Sequence, residues 1–297
     1  MTDPGTGAPP EAAKLPGTLF VVATPIGNLG DVTLRALEVL RTVPLIAAED
    51  TRHTRRLLER HSVPTRTTSY HAQSDAARTR ALLEHLRGGA DLALVTDAGT
   101  PAVSDPGADL VAAWAAEGGT VVPLPGASAV LAAVAGSGVA GARWAFEGFL
   151  PRGGRERHER IDRIAADDRG TILFEAPGRV AATLDDLAAA CGADRPGAVC
   201  RELTKLHETI VRGTLGELAE AARAGQIPAR GEFVLVVGGW PGGRPVSAEA
   251  ELDAVRAAQA QVERLTAAGT ARGEAARRVS AATGIPRRRL YGVDRAR

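Results

Sequence analysis

The chain has 297 residues, 44% hydrophobic and 24% charged, with a formal charge of +1. These values exclude a wholly disordered chain and suggest more than one domain. Cys191 and Cys200 are the two cysteines, which is too few for a disulfide framework or a cysteine-built zinc site, and the near-neutral charge leaves any nucleic-acid contact to local clusters.

Residues 1–16, opening MTDPGTGAPPEAAK, lack a basic segment followed by an apolar one and read as a disordered tail rather than a signal peptide. From Thr18 to about Gly239, short apolar runs alternate with helical patterns. Strands are expected at Thr18–Ala23, Pro44–Ala48, Asp91–Thr96, Thr120–Pro123, Arg143–Phe149, Thr171–Phe174, Ala198–Arg201, Thr209–Arg212 and Phe233–Val237. Helices are expected at Thr33–Arg41, Thr51–Arg60, Asp75–Arg87, Asp105–Glu117, Ala127–Ala135, Arg155–Ala166, Arg179–Ala190 and Leu215–Ala224. The alternation predicts an α/β architecture with mainly parallel pairing, in two halves, residues 17–124 and 125–240. Thr120–Ala142 is uncharged but broken by Pro123, Pro125 and several glycines, so it reads as strand, turn and helix rather than a membrane span. A cytoplasmic protein without membrane contact is expected.

After a linker at Trp240–Val246 (WPGGRPV), residues 247–297 read as a helical module. Leu252, Val255, Val262 and Leu265 recur at helical spacing, then Ala275, Val279 and Ala282 form a narrow stripe. Gly284 is expected to stop that helix and Pro286 to open the next, giving a helix-turn-helix-like end. From Ala271 onward eight arginines face Glu274 and Asp294, a side-chain charge of +6. That charge suits either a solvated face or nucleic acid, with Arg287, Arg288 and Arg289 as contacts.

Gly136–Gly141 (GSGVAG) matches a dinucleotide fingerprint but follows a helix instead of a strand, so it reads as a helix end and turn. Neither a Walker A sequence nor a G-x-S-x-G elbow occurs. Three loops rich in Gly, Pro and small polar residues follow strands: Thr24–Asp31, Asp97–Pro101 continuing through Ser104–Gly107, and Pro123–Ser128. Loops at strand carboxyl ends line the crevice of an open parallel sheet. Of 36 basic residues only Lys14 and Lys205 are lysine; lysine can lose its proton where arginine cannot, so Lys205 is either a base or the partner of nearby Glu202 or Glu208.

TPIGNLGD, AEDTRHTRRLL, TDAGTPAVSDPG, PLPGASAV, LFEAPGR, CRELTKLHE and GEFVLVVGG, in this order, resemble the ribosomal RNA small-subunit methyltransferase I family of the tetrapyrrole methylase superfamily. The resemblance covers about Leu19 to Tyr291. It implies a two-domain class III methyltransferase fold with a small C-terminal module, S-adenosylmethionine as cofactor and a homodimer. The implied reaction is 2′-O-methylation of a cytidine in the decoding region of 16S ribosomal RNA, as naked RNA or in the 30S subunit. Carried over, Thr24 and Pro25 border the cofactor, and Asp97, Ala98, Gly99, Thr100 and Pro101 hold its methionine part. Gly126, Ser128 and Ala129 lie along it, and Glu175 and Ala176 reach it from the second half. Family members often carry an aromatic residue and Ser-Pro-His where this chain has Phe174 to Arg179, so no histidine role carries over there.

The reaction needs alignment, exclusion of water and a proton acceptor, but no metal. Candidate bases are Asp31, Glu49, Asp50, His53, Glu202 and Lys205, of which Lys205, Glu202 and Asp50 lead, although Asp50 also suits a helix N-cap. RNA contacts are expected from Arg52, His53 and Arg55, with Arg56 and Arg60, and from Arg152 and Arg155, with Arg157 and Arg160. Two other readings share features: a methylase of the superfamily acting on a tetrapyrrole or on a modified histidine (diphthine-type), and a non-catalytic RNA-binding module.

Overall fold

A computed structural model of the chain describes residues 15–74, 76–239, 248–283 and 285–291. The tail over 1–14, the WPGGRPV linker and the helix stop at Gly284 lie outside the described residues. The chain divides into two compact units, one ending at Pro241 and the other starting at Gly242.

In the first unit, β1 (Thr18–Val22), β2 (Leu45–Ala48), β3 (Thr67–Ser69), β4 (Leu92–Val95) and β5 (Thr120–Leu124) form a sheet in the order β3-β2-β4-β1-β5. Every pairing in it is parallel. Leu92, Ala93, Leu94 and Val95 are wholly buried, as a central parallel strand covered on both faces must be. On one face α1 (Leu34–Thr42) and α2 (Thr51–Arg60) bring Leu37, Leu40 and Leu58 against Ile46 and Val95. On the other, α3 (Ala76–Arg87) and α4 (Ala108–Ala116) bring Leu83, Leu86, Leu110 and Trp114 against Leu92 and Leu94. Strand β3, TTS, is polar and three residues long, so no apolar run announced it.

The second sheet contains β6 (Trp144–Phe149), β7 (Gly170–Glu175), β8 (Pro196–Arg201), β9 (Thr209–Thr214) and β10 (Phe233–Val237), ordered β6-β7-β10-β8-β9. Only β6–β7 is parallel; β7–β10, β10–β8 and β8–β9 are antiparallel. Among the described residues, five of the eight strand pairings in the two sheets are therefore parallel, as expected for the chain, and the exception is this mixed second sheet. The link from β8 to β9, residues 202–208, is too short for a parallel crossover, which needs about a dozen residues, so the two strands fold as a hairpin. One face is covered by α6 (Gly154–Ala166), α7 (Val180–Cys191) and α8 (Leu215–Arg223), which enclose Leu173, Val199, Leu235 and Val237. The other is covered by α5 (Ala129–Ser137), against Ile172, Ala198, Val234 and Val236. The period-two alternation along β10 sends its residues to these two cores. Helix α5 ends at Ser137 and Gly138 takes φ 71°, so GSGVAG is a helix end and turn.

The second unit holds α9 (Ala248–Ala267), α10 (Arg272–Thr283) and α11 (Arg287–Leu290). Its core is Ala258, Val262, Ala275, Ala276, Val279 and Leu290. Two expected core positions differ: Leu252 is exposed and Ala276 takes the place of Ala282. The arginine-led helix is a single turn, because three consecutive arginines supply no apolar stripe to extend it. No helix among the described residues is long and apolar enough to cross a membrane.

Candidate active site

The loops after β1 and β4 are tied to each other. The Thr24 amide donates to the Gly99 carbonyl at 2.9 Å and the Gly99 amide returns a bond at 3.0 Å. The Thr24 hydroxyl donates to the Thr96 carbonyl at 3.0 Å. The loop after β2 joins them: the Asp97 carboxylate accepts from the Asp50 amide at 3.0 Å, and the Asp97 amide donates to Glu49 Oε2 at 3.2 Å. Beyond Pro101 the chain is strained, with Ala102 at φ 69° and Ser104 at φ 64°. Such outliers persist only where surrounding structure imposes them, and they gather at functional sites.

These loops open onto a cavity of about 420 Å³. Ile26, Ala98, Gly99, Thr100, Val103, Ser104 and Asp105 line it from the first sheet's carboxyl ends, and Ser128, Ala129 and Val130 from the start of α5. The second sheet supplies Phe149, Phe174 to Pro177, Cys200, Leu203 and Gly231 to Val234. Seven expected cofactor residues are therefore on its wall: Ala98, Gly99, Thr100, Ser128, Ala129, Glu175 and Ala176. Thr24, Pro25, Asp97, Pro101 and Gly126 do not line it. Thr24 and Asp97 stitch the loops from behind, and Gly126 lets the chain pass Ala23, whose Cβ would lie 2.8 Å from an added one.

Asp105 lies in a loop expected at the crevice but is not among the residues expected to hold the cofactor. Its half-buried carboxyl is pushed up to about 6, first by burial and then by the negative charges of Glu49 and Asp97. The cavity thus has an acidic end that favours a cationic ligand. Glu175 has a fully buried side chain. It accepts from Thr183 Oγ1 at 2.6 Å and from the Ala176 amide at 2.8 Å, and pairs with Arg179 at 3.2 Å. Burial pushes the Cys200 thiol up to about 11, which removes it as a nucleophile.

Of the three leading base candidates, Lys205 is held in its protonated form, while Glu202 and Asp50 are ionised carboxylates whose proton affinity their partners reduce. Lys205 Nζ lies 3.0 Å from Glu202 Oε1 and 3.1 Å from Glu232 Oε2. Burial works against its charge, but the two carboxylates outweigh it and raise its affinity for the proton. Glu202 is lowered by the Glu232 amide and then by Lys205. Asp50 caps α2 by accepting from the Arg52 amide at 2.8 Å, and the Arg52 guanidinium holds it well below the usual carboxylate range. Lys205 thus forms an ion triad with Glu202 and Glu232. Its stem packs on Gly27, where an added Cβ would lie 2.4 Å from Lys205 Cγ.

The arginine clusters separate by what they hold. On α2, Arg52 is tied to Asp50, while His53, Arg55, Arg56 and Arg60 are exposed. After β6, Arg160 donates to the Phe149 carbonyl at 3.1 Å and Arg179 to the Leu150 and Pro151 carbonyls at 2.9 and 3.2 Å. Arg157 donates to the Pro151 carbonyl at 3.1 Å and pairs with Asp186 at 2.7 Å. Arg155 pairs with Glu159 at 2.5 Å; Arg152 is exposed. A wider cavity of about 840 Å³ lies here, lined by Phe149 to Arg152, Glu156, Arg160, Ala176 and Arg179. It shares Phe149 and Ala176 with the first. In the second unit, Arg287, Arg288 and Arg289 are exposed on α11.

The family model for tetrapyrrole (corrin/porphyrin) methylases matches residues 18–219. Proteins named ribosomal RNA small subunit methyltransferase I are similar over almost the whole length. That of Synechocystis is 47% identical, covering 94% of this chain and 97% of its own. That of Micromonospora olivasterospora is 45% identical, covering 97% and 88%, and that of Bacillus subtilis 40% identical, covering 93% of each. Among solved structures, a diphthine synthase aligns with TM-score 0.59 at 16% identity, covering 75% of this chain and 90% of its own. A uroporphyrin-III C-methyltransferase from Thermus thermophilus, complexed with S-adenosylhomocysteine, aligns with TM-score 0.54 at 21% identity, covering 75% and 97%. At these identities the structural likeness speaks to the fold.

Proposed function

The chain belongs to the tetrapyrrole methylase family, within its ribosomal RNA small subunit methyltransferase I group, and is an S-adenosylmethionine-dependent ribosomal RNA methyltransferase; from that premise we propose that its acceptor is the ribose 2′-oxygen of a cytidine in the decoding region of 16S ribosomal RNA, and that it works as a homodimer. The observation that supports this reading is the acidic-ended cavity at the carboxyl ends of β1 and β4, with an open arginine-bearing cavity beside it. The residues present fit the cofactor. The Ala98 to Thr100 segment and the capped start of α5 offer polar groups, Asp105 offers negative charge, and Phe174 and Val234 offer apolar wall.

Bound S-adenosylmethionine supplies a methyl group already activated on a sulfonium. The chain's own work is to orient, to exclude water and to let the 2′-hydroxyl proton pass to an acceptor as the ether forms. The Thr24–Gly99 bridge and the Asp97–Asp50 bond fix the loops, and alignment of this kind can contribute several kcal/mol, on the order of 10⁵ M in effective molarity. Asp105, ionised at neutral pH, complements the positive charge of the methyl donor and is less attracted to a neutral thioether product. The exposed arginines on α2 and Arg152 supply phosphate contacts. Exposed Leu34, Leu131 and Leu206 in the same unit leave apolar surface for a second copy.

The test is to incubate 30S subunits with the protein and methyl-labelled S-adenosylmethionine, then map the label. A single 2′-O-methylcytidine in 16S RNA is expected; label on a base, or only on an offered porphyrinoid, overturns the reading. The tetrapyrrole and diphthine readings share the fold at 16–21% identity, whereas the ribosomal RNA enzymes share 40–47%.

A further inference from the structure

Phe149 stands at the one wall common to the two cavities and is 53% exposed, in a chain with only five phenylalanines. Its orientation comes from a register shift between Phe146 and Gly148 in the β6–β7 pairing. In an unbroken strand, residues three apart point to opposite faces. The bulge puts Phe146 and Phe149 on the same face, where both meet Phe174, at 4.9 Å and 68° and at 5.5 Å and 60° between ring centroids and planes. Bulges re-aim side chains beside active sites.

The backbone that follows is held stiffly. The carbonyls of Phe149, Leu150 and Pro151 each accept from a guanidinium, those of Arg160, Arg179 and Arg157. The next residue, Arg152, presents its charge to the wider cavity. A stacked-upon ring on a fixed backbone loses little freedom when a ligand arrives. A ribose acceptor in folded RNA must be splayed out for chemistry, and its base then needs a surface to stack on.

We propose that Phe149 and Arg152 form a two-point clamp for the acceptor nucleotide: its base stacks on Phe149 at the mouth of the cofactor cavity, and an adjoining phosphate pairs with Arg152 in the wider one. This rests on the ribosomal RNA reading above. The clamp places the nucleotide between the methyl donor and the RNA backbone, and it selects unstacked, single-stranded acceptors.

The experiment uses the full-length protein, 30S subunits and labelled S-adenosylmethionine, with Phe149→Leu, Phe149→Trp and Arg152→Ala. Phe149→Leu keeps apolar volume but no stacking face, and is expected to lower kcat/KM for 30S subunits by about tenfold or more, the usual effect of losing one base–aromatic stack. Phe149→Trp is expected to stay within about threefold of the parent, with all rates taken at saturating S-adenosylmethionine and the cofactor dissociation constant of each variant measured by calorimetry. Arg152→Ala is expected to flatten the salt dependence of log(kcat/KM) by about one phosphate contact, while Phe149→Leu leaves that slope unchanged. Parent-like activity in Phe149→Leu, a loss in Phe149→Trp equal to that in Phe149→Leu, or a loss explained by cofactor binding overturns the clamp. If the parent protein itself labels no RNA, the ribosomal RNA reading fails, and the clamp with it.

Discussion

Asp105 carries a pH signature that reads directly on the cavity. Its folded value, about 6, lies above the ordinary 3.8, so between those values the fold holds a proton that the unfolded chain has released. The resulting stabilisation is complete below about pH 4 and is lost as pH rises through about 6. Asp105→Asn is therefore expected to stabilise the ligand-free protein by about 1–2 kcal/mol at pH 7 and by almost nothing near pH 4, while weakening S-adenosylmethionine binding at pH 7. Paired thermal melts and calorimetry at the two pH values check this; a pH-independent stability change would remove Asp105 from the acidic end. Lys205→Met is expected to destabilise by about 1–3 kcal/mol, because Glu202 and Glu232 lose a shared cation, without removing an ionisation from the pH–rate profile. Loss of a limb near neutral pH would restore Lys205 as the base. Composition alone points to crevice-lining loops at Asp97–Pro101 and Pro123–Ser128, and the family resemblance singles out Ala98 to Thr100, Ser128 and Ala129 within or beside them. Asp105 falls in the Ser104–Gly107 stretch expected at the crevice but receives no role there, because it also reads as the start of a helix; Pro106 and Gly107, the latter at φ 122°, delay that helix to Ala108 and leave Asp105 on the cavity wall.

Elements were legible where period and length agreed. The parallel sheet followed from alternation of apolar runs with amphipathic helices, but the antiparallel half did not. No Asn-Gly or Asp-Gly turn marks the β8–β9 hairpin, whose link instead uses Glu202 and Thr204 at φ 53° and 65°. Nor does local pattern reveal that β10 inserts between β7 and β8, since strand order is a long-range property. The bulge in β6 was equally silent, which is why Phe149 went unnoticed. Gly148, at φ 62°, maintains that bulge, and an added Cβ would lie 2.9 Å from Ser104 Oγ. Gly148→Ala is expected to cost about 1–2 kcal/mol, the penalty of a left-handed conformation for an L-residue, and to disturb the strained loop at Ser104. A melting temperature equal to the parent's would show that the strand relaxes without cost.

At the scale of the whole molecule, the cavity wall lies within the unit ending at Pro241, and the helical unit has a core of its own. Deleting residues 242–297 is expected to leave the cofactor dissociation constant within about twofold while weakening RNA binding several-fold, as befits loss of phosphate contacts. Calorimetry and filter binding separate the two quantities, and an equal loss in both would make the helical unit part of the catalytic body. Sedimentation equilibrium is expected to return twice the 30.7 kDa chain mass; a monomer would reassign exposed Leu34, Leu131 and Leu206 to another partner. The ion triad at Lys205 has a practical corollary. It is the sole lysine among the described residues, and its amine is locked between two carboxylates. Succinimidyl esters and acetylating reagents should spare it in the resting protein, so acylation at that position would serve as a cumulative chemical record of the triad's release.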